Sequence, residues 1–381
     1  MKKRILFIAE NLYCGGVERI LQIVLKNFDY EKYDVTLYSS RPETLHPDYY
    51  PTSIRLQHYF ESCGANALLY KKIRCRIINK LKLLVYYHLS PTWFYRLFIK
   101  GKYDVGIAFI EGYATRILSG GPKNMKKIAW VHTDIGTNHW TTVAYRSLSE
   151  ETDCYKQFKY VVCVSNVVAQ SYEKTFHNSN HLVLHNPIDS KSIIKKANIS
   201  IENCFFHNNS LKIVSLGRLS EVKGYFRLLD AFKKLHNSDK LDIELYILGS
   251  GEQKERLSSH IVSHNMQSYV HLLGFKENPY PYLKQADIYV CSSYAEGYNT
   301  AISEALILHR AIVTTEVSGA KEQLGDSEYG IVTENSTDGI YLGLKTMITQ
   351  NLIPYYQEKA AIRGKDYSLF KQMDKIYKLL E

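Results

Sequence analysis

The amino-acid sequence predicts an α/β protein with two doubly wound parallel sheets. Short apolar segments with strand character alternate with amphipathic helical segments from the amino terminus onward, which is the rhythm of βαβ units. Asn186-Pro187 and the polar segment 190–209 interrupt this alternation, and a second series begins at residue 211. A length of 381 residues is also sufficient for two domains of roughly 180 residues each.

Each half contains several apolar runs that are short enough to be buried parallel strands. The first half has predicted strands at residues 5–9, 34–39, 103–109, 127–131 and 160–164, with a helix predicted over 17–27. The second half has predicted strands at residues 211–216, 244–249, 271–274, 288–291, 311–315 and 330–332. The segment 190–209 is interpreted as a surface insertion or linker. A final helix over 367–380 has an apolar stripe that requires a partner surface.

Composition argues against several other classes of protein. The apolar run at the amino terminus is only about five residues long before Glu10, too short for a secretory signal, so it predicts a first strand. No run of about 18 apolar residues is free of charge, so we expect no transmembrane helix and a cytoplasmic chain. The seven cysteines are odd in number and lack a C-x-x-C spacing. We therefore expect thiols rather than disulfides, and no metal site.

The positive charge is concentrated in one stretch of the first half. The chain has a formal net charge of +10, and no acidic residue lies between Glu61 and Asp104. Nine basic residues fall there among apolar and aromatic ones: Lys71, Lys72, Arg74, Arg76, Lys80, Lys82, Arg96, Lys100 and Lys102. This pattern favours contact with an anionic membrane surface. The alternative is an ordinary helix with a solvated basic face. No nucleic-acid-binding motif accompanies the charge, so a nucleic-acid partner is not expected.

Two carboxylates near the carboxyl terminus indicate a ligand site. Glu296 lies in a glycine-bearing turn after the predicted strand 288–291, and Glu304 lies one turn into the helix that follows. Asn299 or Thr300 can be the N-cap of that helix, whose first-turn N–H groups suit an anion. Ligands of open α/β sheets bind at such strand ends, and carboxylates there can accept hydrogen bonds from hydroxyls. The alternative is that one glutamate caps the helix and the other is a solvated charge.

The ends of other predicted strands carry residues that are suited to binding a phosphate or a sugar. Arg218 and Lys223 follow the first predicted strand of the second half, and two cations there can neutralise a diphosphate. Gly15-Gly16 follows the first strand of the chain and allows a close backbone approach to a phosphate or sugar. Neither Gly15-Gly16 nor Gly249-Ser-Gly251 completes the G-x-G-x-x-G pattern of dinucleotide binders. The alternatives are that Gly15-Gly16 forms only a tight turn, and that Arg218 and Lys223 are only surface cations.

These segments together resemble the retaining glycosyltransferases of family 4, over most of the chain. The motifs that carry the resemblance are Gly15-Gly16, Trp130-Val-His132, Val164-Ser165-Asn166, His185-Asn186-Pro187-Ile188-Asp189, Gly217-Arg218 with Lys223-Gly224, Leu248-Gly249-Ser250-Gly251, Gly274-Phe275, and Glu296 to Glu304. The resemblance implies the GT-B fold, in which two Rossmann-like domains face each other across a cleft. It implies an acceptor-binding domain over 1–187, completed by a crossing helix over 365–381, and a donor-binding domain over 188–364.

The resemblance also implies roles for individual residues. Arg218 and Lys223 would hold the donor diphosphate, Glu296 would contact the donor sugar in the transition state, and Glu304 would bind the ribose. His132 would reach the donor hexose, although a lone histidine is more often structural. The remaining expected donor contacts are Gly15, Gly16, Gly249, Gly274, Phe275, Gly297, Tyr298, Asn299 and Thr300. Tyr298-Asn299 departs from the Phe-Gly or Phe-Pro that family members more often carry, which leaves the identity of the hexose open.

The expected activity is therefore hexosyl transfer with retention, from a UDP- or GDP-sugar to a saccharide or polyprenyl-diphosphate-linked acceptor. The absence of a D-x-D motif predicts that neither a metal ion nor a cofactor is needed. The resemblance and the basic stretch favour a role in surface-polysaccharide or capsule biosynthesis, at the inner face of the cell membrane. The alternatives are a GT-B sugar-nucleotide epimerase, a phosphorylase, which would usually need a pyridoxal phosphate lysine, and a non-catalytic module that binds nucleotide sugars or polysaccharide.

Overall fold

The computed structural model describes residues 2–10, 15–40, 50–61, 68–201 and 210–381. The chain divides into two compact units. Unit 1 comprises Met1–Pro187 with Phe370–Glu381, and unit 2 comprises Ile188–Leu369. The sequence prediction places the same boundary after Pro187, but it assigns the C-terminal segment to the first unit from residue 365 rather than from 370.

A seven-stranded parallel sheet forms the centre of unit 1 in the described part of the chain. Its strands are β1 (Lys3–Ala9), β2 (Tyr33–Ser39), β3 (Arg55–His58), β4 (Val105–Ala108), β5 (Lys126–Val131), β6 (Tyr160–Cys163) and β7 (His181–Val183). The spatial order is β3-β2-β1-β4-β5-β6-β7, with every pair parallel. The order reverses between β1 and β4, the switch point beside which such sheets bind ligands.

Helices cover both faces of this sheet, and the strands are correspondingly apolar. Ile5, Leu6, Phe7 and Ile8 of β1 are all at most 1% exposed. A continuous apolar run of this kind is expected for a parallel strand that is buried on both faces. The helices of unit 1 before Pro187 are α1 (Gly16–Lys26), α2 (Leu69–His88), α3 (Pro91–Phe98), α4 (Tyr113–Ser119), α5 (Leu148–Tyr155) and α6 (Asn166–Phe176).

Unit 2 repeats the same topology, with six parallel strands in the residues described for it. They are β8 (Leu211–Leu216), β9 (Ile243–Leu248), β10 (Val270–Gly274), β11 (Ile288–Cys291), β12 (Ala311–Thr315) and β13 (Ile331–Thr333), in the order β10-β9-β8-β11-β12-β13. The helices are α7 (Ser190–Ala197), α8 (Tyr225–Asn237), α9 (Lys254–Ser263), α10 (Tyr280–Gln285), α11 (Thr300–Ile307), α12 (Ala320–Leu324), α13 (Thr337–Thr349) and α14 (Ile353–Gly364). The predicted two-sheet α/β architecture is confirmed. The switch point of unit 2 lies between β8 and β11.

The last helix, α15 (Leu369–Leu380), packs on unit 1 as predicted. The ring of Tyr377 stacks on that of Tyr33 with centroids 5.8 Å apart and contacts Phe28 at 5.6 Å. Its hydroxyl donates to the carbonyl oxygen of Asn27 at 2.9 Å. Ile376 on the same helix is 1% exposed. The apolar stripe of the final helix therefore belongs to the core of unit 1.

Three expectations need correction. Residues 190–197 form helix α7 rather than a linker, because Asp189 caps it by accepting the N–H of Ser192 at 2.9 Å, and Ile193 and Ala197 are buried one turn apart. Residues 202–209 of the predicted linker lie outside the described residues. Cys154, Cys163 and Cys291 are buried thiols as expected, but Cys75 is disulfide-bonded. The short strands β3 and β7 were not predicted. Among the helices in the described ranges, none is both long and apolar enough to cross a bilayer.

Candidate active site

The loops after β8 and β11 meet at the switch point of unit 2. Gly224 ends the loop after β8 with φ of 63°, and a Cβ there would lie 2.2 Å from the carbonyl oxygen of Ser292. The backbone N–H of Tyr294 donates to the carbonyl oxygen of Val222 at 2.7 Å. Glycine is therefore required at position 224 both for its left-handed conformation and for the close approach of the two loops.

Glu296 and Lys223 form an ion pair between these loops. The Nζ atom of Lys223 lies 2.6 Å from Oε1 of Glu296, and the side chains are 25% and 12% exposed. Oε1 also accepts the hydroxyl of Ser293 at 2.5 Å and the amide of Asn299 at 3.2 Å. No hydrogen bond from a described residue reaches Oε2. One carboxylate oxygen is thus held by three donors, whereas the other is available to a ligand.

The ion pair keeps Lys223 charged in spite of its burial. Burial alone would lower the pKa of Lys223, but the negative charge of Glu296 outweighs it and raises the pKa above its ordinary value. The Lys223 side chain also runs beside Gly217, where a Cβ would lie 3.4 Å from Cε of Lys223. A fixed positive charge therefore lies at the carboxyl end of β8.

Asn299 links Glu296 to helix α11. Its Oδ1 atom accepts the N–H of Ala301 at 2.9 Å, which confirms Asn299 as the N-cap and makes Thr300 the first helical residue. Its own carbonyl oxygen accepts the side-chain amide of Gln323 at 2.8 Å. Because Asn299 caps the helix and both glutamates are largely buried, the alternative of a capping glutamate and a solvated one is wrong.

Glu304 projects from α11 within unit 2 and is 5% exposed. The hydroxyl of Tyr280 donates to its Oε1 atom at 3.1 Å. Tyr298, in the loop before the helix, is buried. Gly297 adjoins the loop after β12, because a Cβ on Gly319 would lie 2.9 Å from the Gly297 carbonyl oxygen. Glu304 and Glu296 are therefore both fixed by named partners rather than solvated.

Other predicted donor contacts lie around this centre. The Arg218 side chain is 73% exposed, and its Nε atom is 3.6 Å from Oε2 of Glu252. No described contact joins Arg218 to Lys223 or Glu296. The N–H of Gly249 donates to the carbonyl oxygen of Gly274 at 2.9 Å, so the loops after β9 and β10 are adjacent. Gly274 has φ of 71°, and Phe275 after it is 49% exposed.

Arg227 holds the loop after β11 and was not predicted. This buried side chain of α8 donates to the carbonyl oxygens of Ser292 at 2.8 Å and Ser293 at 2.5 Å. Its guanidinium lies 3.8 Å from the ring centroid of Tyr294. Since Ser293 in turn donates to Glu296, Arg227 supports the loop that carries the carboxylate. The signal in the sequence is an arginine on the apolar face of a helix.

The predicted residues of unit 1 lie at the carboxyl edge of its own sheet. Gly15 is the N-cap of α1 and Gly16 its first residue, while residues 11–14 of the same loop lie outside the described residues. His132 follows β5 and is 7% exposed, with Nε2 3.0 Å from the carbonyl oxygen of Phe109. Burial lowers the pKa of His132 below its ordinary value, so the imidazole is neutral.

Comparison with known proteins agrees with this architecture. Residues 200–360 match the model of a family described as "Glycosyl transferases group 1". The chain is 34% identical over 194 residues to the N-acetylgalactosamine-N,N'-diacetylbacillosaminyl-diphospho-undecaprenol 4-alpha-N-acetylgalactosaminyltransferase of Campylobacter jejuni, an alignment that covers 50% of each protein. It is 24% identical over 260 residues to the poly(ribitol-phosphate) alpha-N-acetylglucosaminyltransferase of Staphylococcus aureus, covering 68% of this chain and 49% of that protein. The chain thus spans about half the length of these curated relatives.

The crystal structure of Anabaena HepE in complex with UDP and glucose has the same fold. It superposes with a TM-score of 0.74 at 16% identity, covering 99% of this chain and 98% of HepE. The chain therefore has the GT-B fold of glycosyltransferases. Its residues 200–360 match the glycosyl transferases group 1 family. The predicted fold is confirmed, and the match over residues 200–360 agrees with the predicted resemblance, whereas retention of stereochemistry stays a prediction.

Proposed function

We propose that this protein is a retaining glycosyltransferase that moves a hexosyl group from a nucleoside-diphosphate sugar to a saccharide acceptor. The observation that carries this proposal is Glu296, whose Oε1 atom is held by three donors while no described residue bonds Oε2. It lies at the carboxyl edge of a parallel sheet, where α/β proteins bind their ligands. The structure of HepE with UDP and glucose and the names of the two relatives favour the same activity.

The side chains of unit 2 suit the charges of this reaction. When the glycosidic C–O bond breaks, negative charge develops on the leaving diphosphate, and Lys223 and Arg218 are the cations that would stabilise it. Glu296 Oε2 would accept hydrogen bonds from the hexosyl hydroxyls and oppose the positive charge at the anomeric carbon. Glu304, held by Tyr280, would accept the ribose hydroxyls, because an ionised carboxylate only accepts.

A panel of UDP- and GDP-sugars tests the donor, since a bound ligand raises the melting temperature of the folded protein. In transfer assays with the stabilising donor, Glu296→Gln should lower turnover by a factor of roughly 10² or more. Glu358→Gln, which changes an exposed carboxylate on α14, is the matched control. Near-normal turnover in folded Glu296→Gln removes the proposed role. If the donor sugar is epimerised but not transferred, the result favours an epimerase. If the nucleotide sugar binds but is not turned over, the result favours a non-catalytic binding module.

The stereochemistry and the metal requirement have a separate test. We propose that the acceptor attacks on the face that the diphosphate leaves, with the leaving phosphate taking the acceptor proton, so an α-linked donor gives an α-glycoside. Two cations in the donor site would make a metal ion unnecessary, and no cofactor is proposed. NMR of the product should show the α-linkage, and activity should survive EDTA. A β-linked product contradicts retention; rescue of an EDTA-inactivated enzyme by Mg²⁺ or Mn²⁺ contradicts metal independence.

We also propose a polyprenyl-diphosphate-linked saccharide as the acceptor, in surface-polysaccharide or capsule assembly at the cytoplasmic face of the cell membrane. The name of the Campylobacter relative contains such an acceptor, diphospho-undecaprenol. Helix α2 provides the structural support. Its inner face is attached to unit 1 through the Tyr86 hydroxyl, which donates to the Ala144 carbonyl oxygen at 3.0 Å, and through Lys82, 2.7 Å from Glu61.

The outer face of α2 is apolar and unusually exposed. One line of side chains, spaced three or four residues apart, is 48% to 62% exposed: Tyr70, Ile73, Ile77, Leu81 and Leu84. Helical spacing places the exposed Arg74 and Lys80 on opposite sides of this line. Each basic side chain near an anionic surface contributes about 1 kcal/mol of attraction. Pairing of α2 with a second copy would bring cations together, so the charges favour an anionic bilayer.

Vesicle sedimentation tests this docking surface. Binding to phosphatidylcholine vesicles should rise with phosphatidylglycerol content and fall in high salt, because surface charge is screened within about 8 to 10 Å at ordinary ionic strength. Arg74→Ser with Lys80→Ser, and Ile77→Ser with Leu81→Ser, should each weaken binding. Lys254→Ser with Lys365→Ser removes two exposed cations of unit 2 and is the control. No binding to anionic vesicles at low salt would mean that α2 is a solvated helix and would favour a soluble acceptor.

A further inference from the structure

A buried carboxylate in unit 1 has no role in the donor chemistry proposed above. Glu111 follows β4 and is 1% exposed. Its Oε2 atom accepts the backbone N–H of His132 at 2.9 Å, and its Oε1 atom accepts the indole N–H of Trp140 at 3.2 Å. Glu111 therefore joins the loop after β4 to the residues that follow β5, at the carboxyl edge of the first sheet.

The imidazole of His132 has one nitrogen atom that is left for a ligand. Nε2 lies 3.0 Å from the Phe109 carbonyl oxygen, and because a carbonyl only accepts, Nε2 carries the hydrogen. Nδ1 of the neutral ring is then an acceptor. It is buried and has no hydrogen-bond partner among the described residues. A buried acceptor without a partner is unfavourable, so a donor from a ligand would stabilise it.

Trp140 is partly buried and is held by the same carboxylate as this histidine. It begins a short 3-10 helix, Trp140–Ala144, and its indole nitrogen is also 3.2 Å from the Thr133 hydroxyl. The far edge of the ring packs on Gly112, where a Cβ would lie 3.3 Å from Cη2 and φ is 86°. Because Gly112 has no side chain, the Trp140 ring can pack against it, while Glu111 and Thr133 orient the indole N–H.

We propose that Glu111 is a positioning residue that holds Trp140 and His132 as a pyranose-binding subsite of unit 1. The partly buried indole would pack on the apolar C–H face of a sugar ring, and His132 Nδ1 would accept a hydrogen bond from a sugar hydroxyl. Large aromatic side chains combined with a few placed polar atoms are typical of such pockets. This inference rests on the proposed transferase function. The pyranose belongs either to the donor or to the acceptor, and the KM values for the two substrates distinguish these cases.

Steady-state kinetics with the donor found in the nucleotide-sugar panel gives the first test. Trp140→Ala should raise KM for one saccharide substrate by about tenfold, the size of losing one apolar stacking contact. Trp140→Phe keeps a ring and should retain more affinity. Glu111→Gln leaves one of the two N–H donors without an acceptor and should raise the same KM. Affinity for the nucleoside diphosphate alone should not change. Thr142→Ala, an exposed change in the same 3-10 helix, is the control and should leave both KM values unchanged.

A rise in donor KM assigns the pyranose to the donor, and a rise in acceptor KM assigns it to the acceptor. Unchanged KM values for both substrates in Trp140→Ala and Glu111→Gln, with wild-type transfer intact, overturn the subsite alone. Absence of any transfer by the wild type instead overturns the proposed function. Nitrogen-15 NMR of the histidine rings provides a readout without turnover. It should show His132 with its proton on Nε2, and a protonated Nδ1 in the free protein overturns the inference.

Discussion

At the scale of single residues, one atom of a proposed functional side chain bonds to the protein, and another atom of the same side chain is available to a ligand. Glu296 uses Oε1 for three protein donors. His132 uses Nε2 for a carbonyl oxygen and leaves Nδ1 without a partner among the described residues. Fixing one atom of a side chain in this way orients the other atom before substrate arrives, which is the preorganisation that catalytic and binding groups need.

The neutral state of His132 predicts a dependence of stability on pH. Burial lowers the folded-state pKa, so as the pH falls the unfolded chain takes up this proton first. The destabilisation begins below about 6.5, the unfolded value, and grows until the folded imidazole is protonated, by up to about 1.4 kcal/mol per pH unit. His132→Asn should therefore lose less stability than the wild type between about pH 7 and about pH 5.

Melting temperatures across this pH range measure the difference. His58→Asn, which changes an exposed histidine of β3, is the matched control and should follow the wild type. Parallel curves for wild type and His132→Asn would show that His132 protonates as readily in the folded protein as in the unfolded chain.

At the scale of elements, helix α8 supports the loop after β11. Arg227 donates to two successive carbonyl oxygens, of Ser292 and Ser293, and these partners are 65 and 66 residues away in the chain. Arg227→Lys keeps the charge but cannot reproduce the planar fork. We expect turnover to fall by roughly tenfold and stability by about 1 to 3 kcal/mol, because a buried hydrogen-bonded group loses partners. Transfer assays and denaturant titration measure the two effects.

Arg256→Lys, an exposed change on α9, controls for the substitution itself. Loss of stability with unchanged turnover would show that Arg227 serves the fold of unit 2 only, and that Glu296 keeps its position without it.

The same elements show how far the sequence predicts this protein. Strands β8, β11 and β12 have the predicted bounds, because each is a continuous apolar run between polar residues. Edge strands β3 and β7 were missed because they are short and only partly buried. Glu296, Lys223 and Glu304 could be predicted because strand ends and local motifs place them. The roles of Glu111 and Arg227 could not, since their partners lie in other segments of the chain and neither residue belongs to a local motif.

At the scale of the whole molecule, the chain leaves unit 1 at Pro187 and returns to it at Phe370. Ile376 of the returning helix is 1% exposed in the core of unit 1. Ile376→Ala should destabilise this unit by about 2 to 4 kcal/mol through the cavity it creates. Hydrogen exchange should increase at β1 and β2 but not at β8 and β11. Lys375→Ala, exposed on the same helix, should change neither. Equal increases in both sheets would mean that the two units unfold together.

This return of the chain has a consequence for biosynthesis. During translation, all of unit 2 emerges from the ribosome before the segment that completes unit 1. The surface of unit 1 that Tyr377 and Ile376 later cover, including Phe28 and Tyr33, is therefore exposed while the second half is made. We expect this apolar patch to be the part of the nascent chain that most needs a chaperone, and its exposure ends only when the last helix docks.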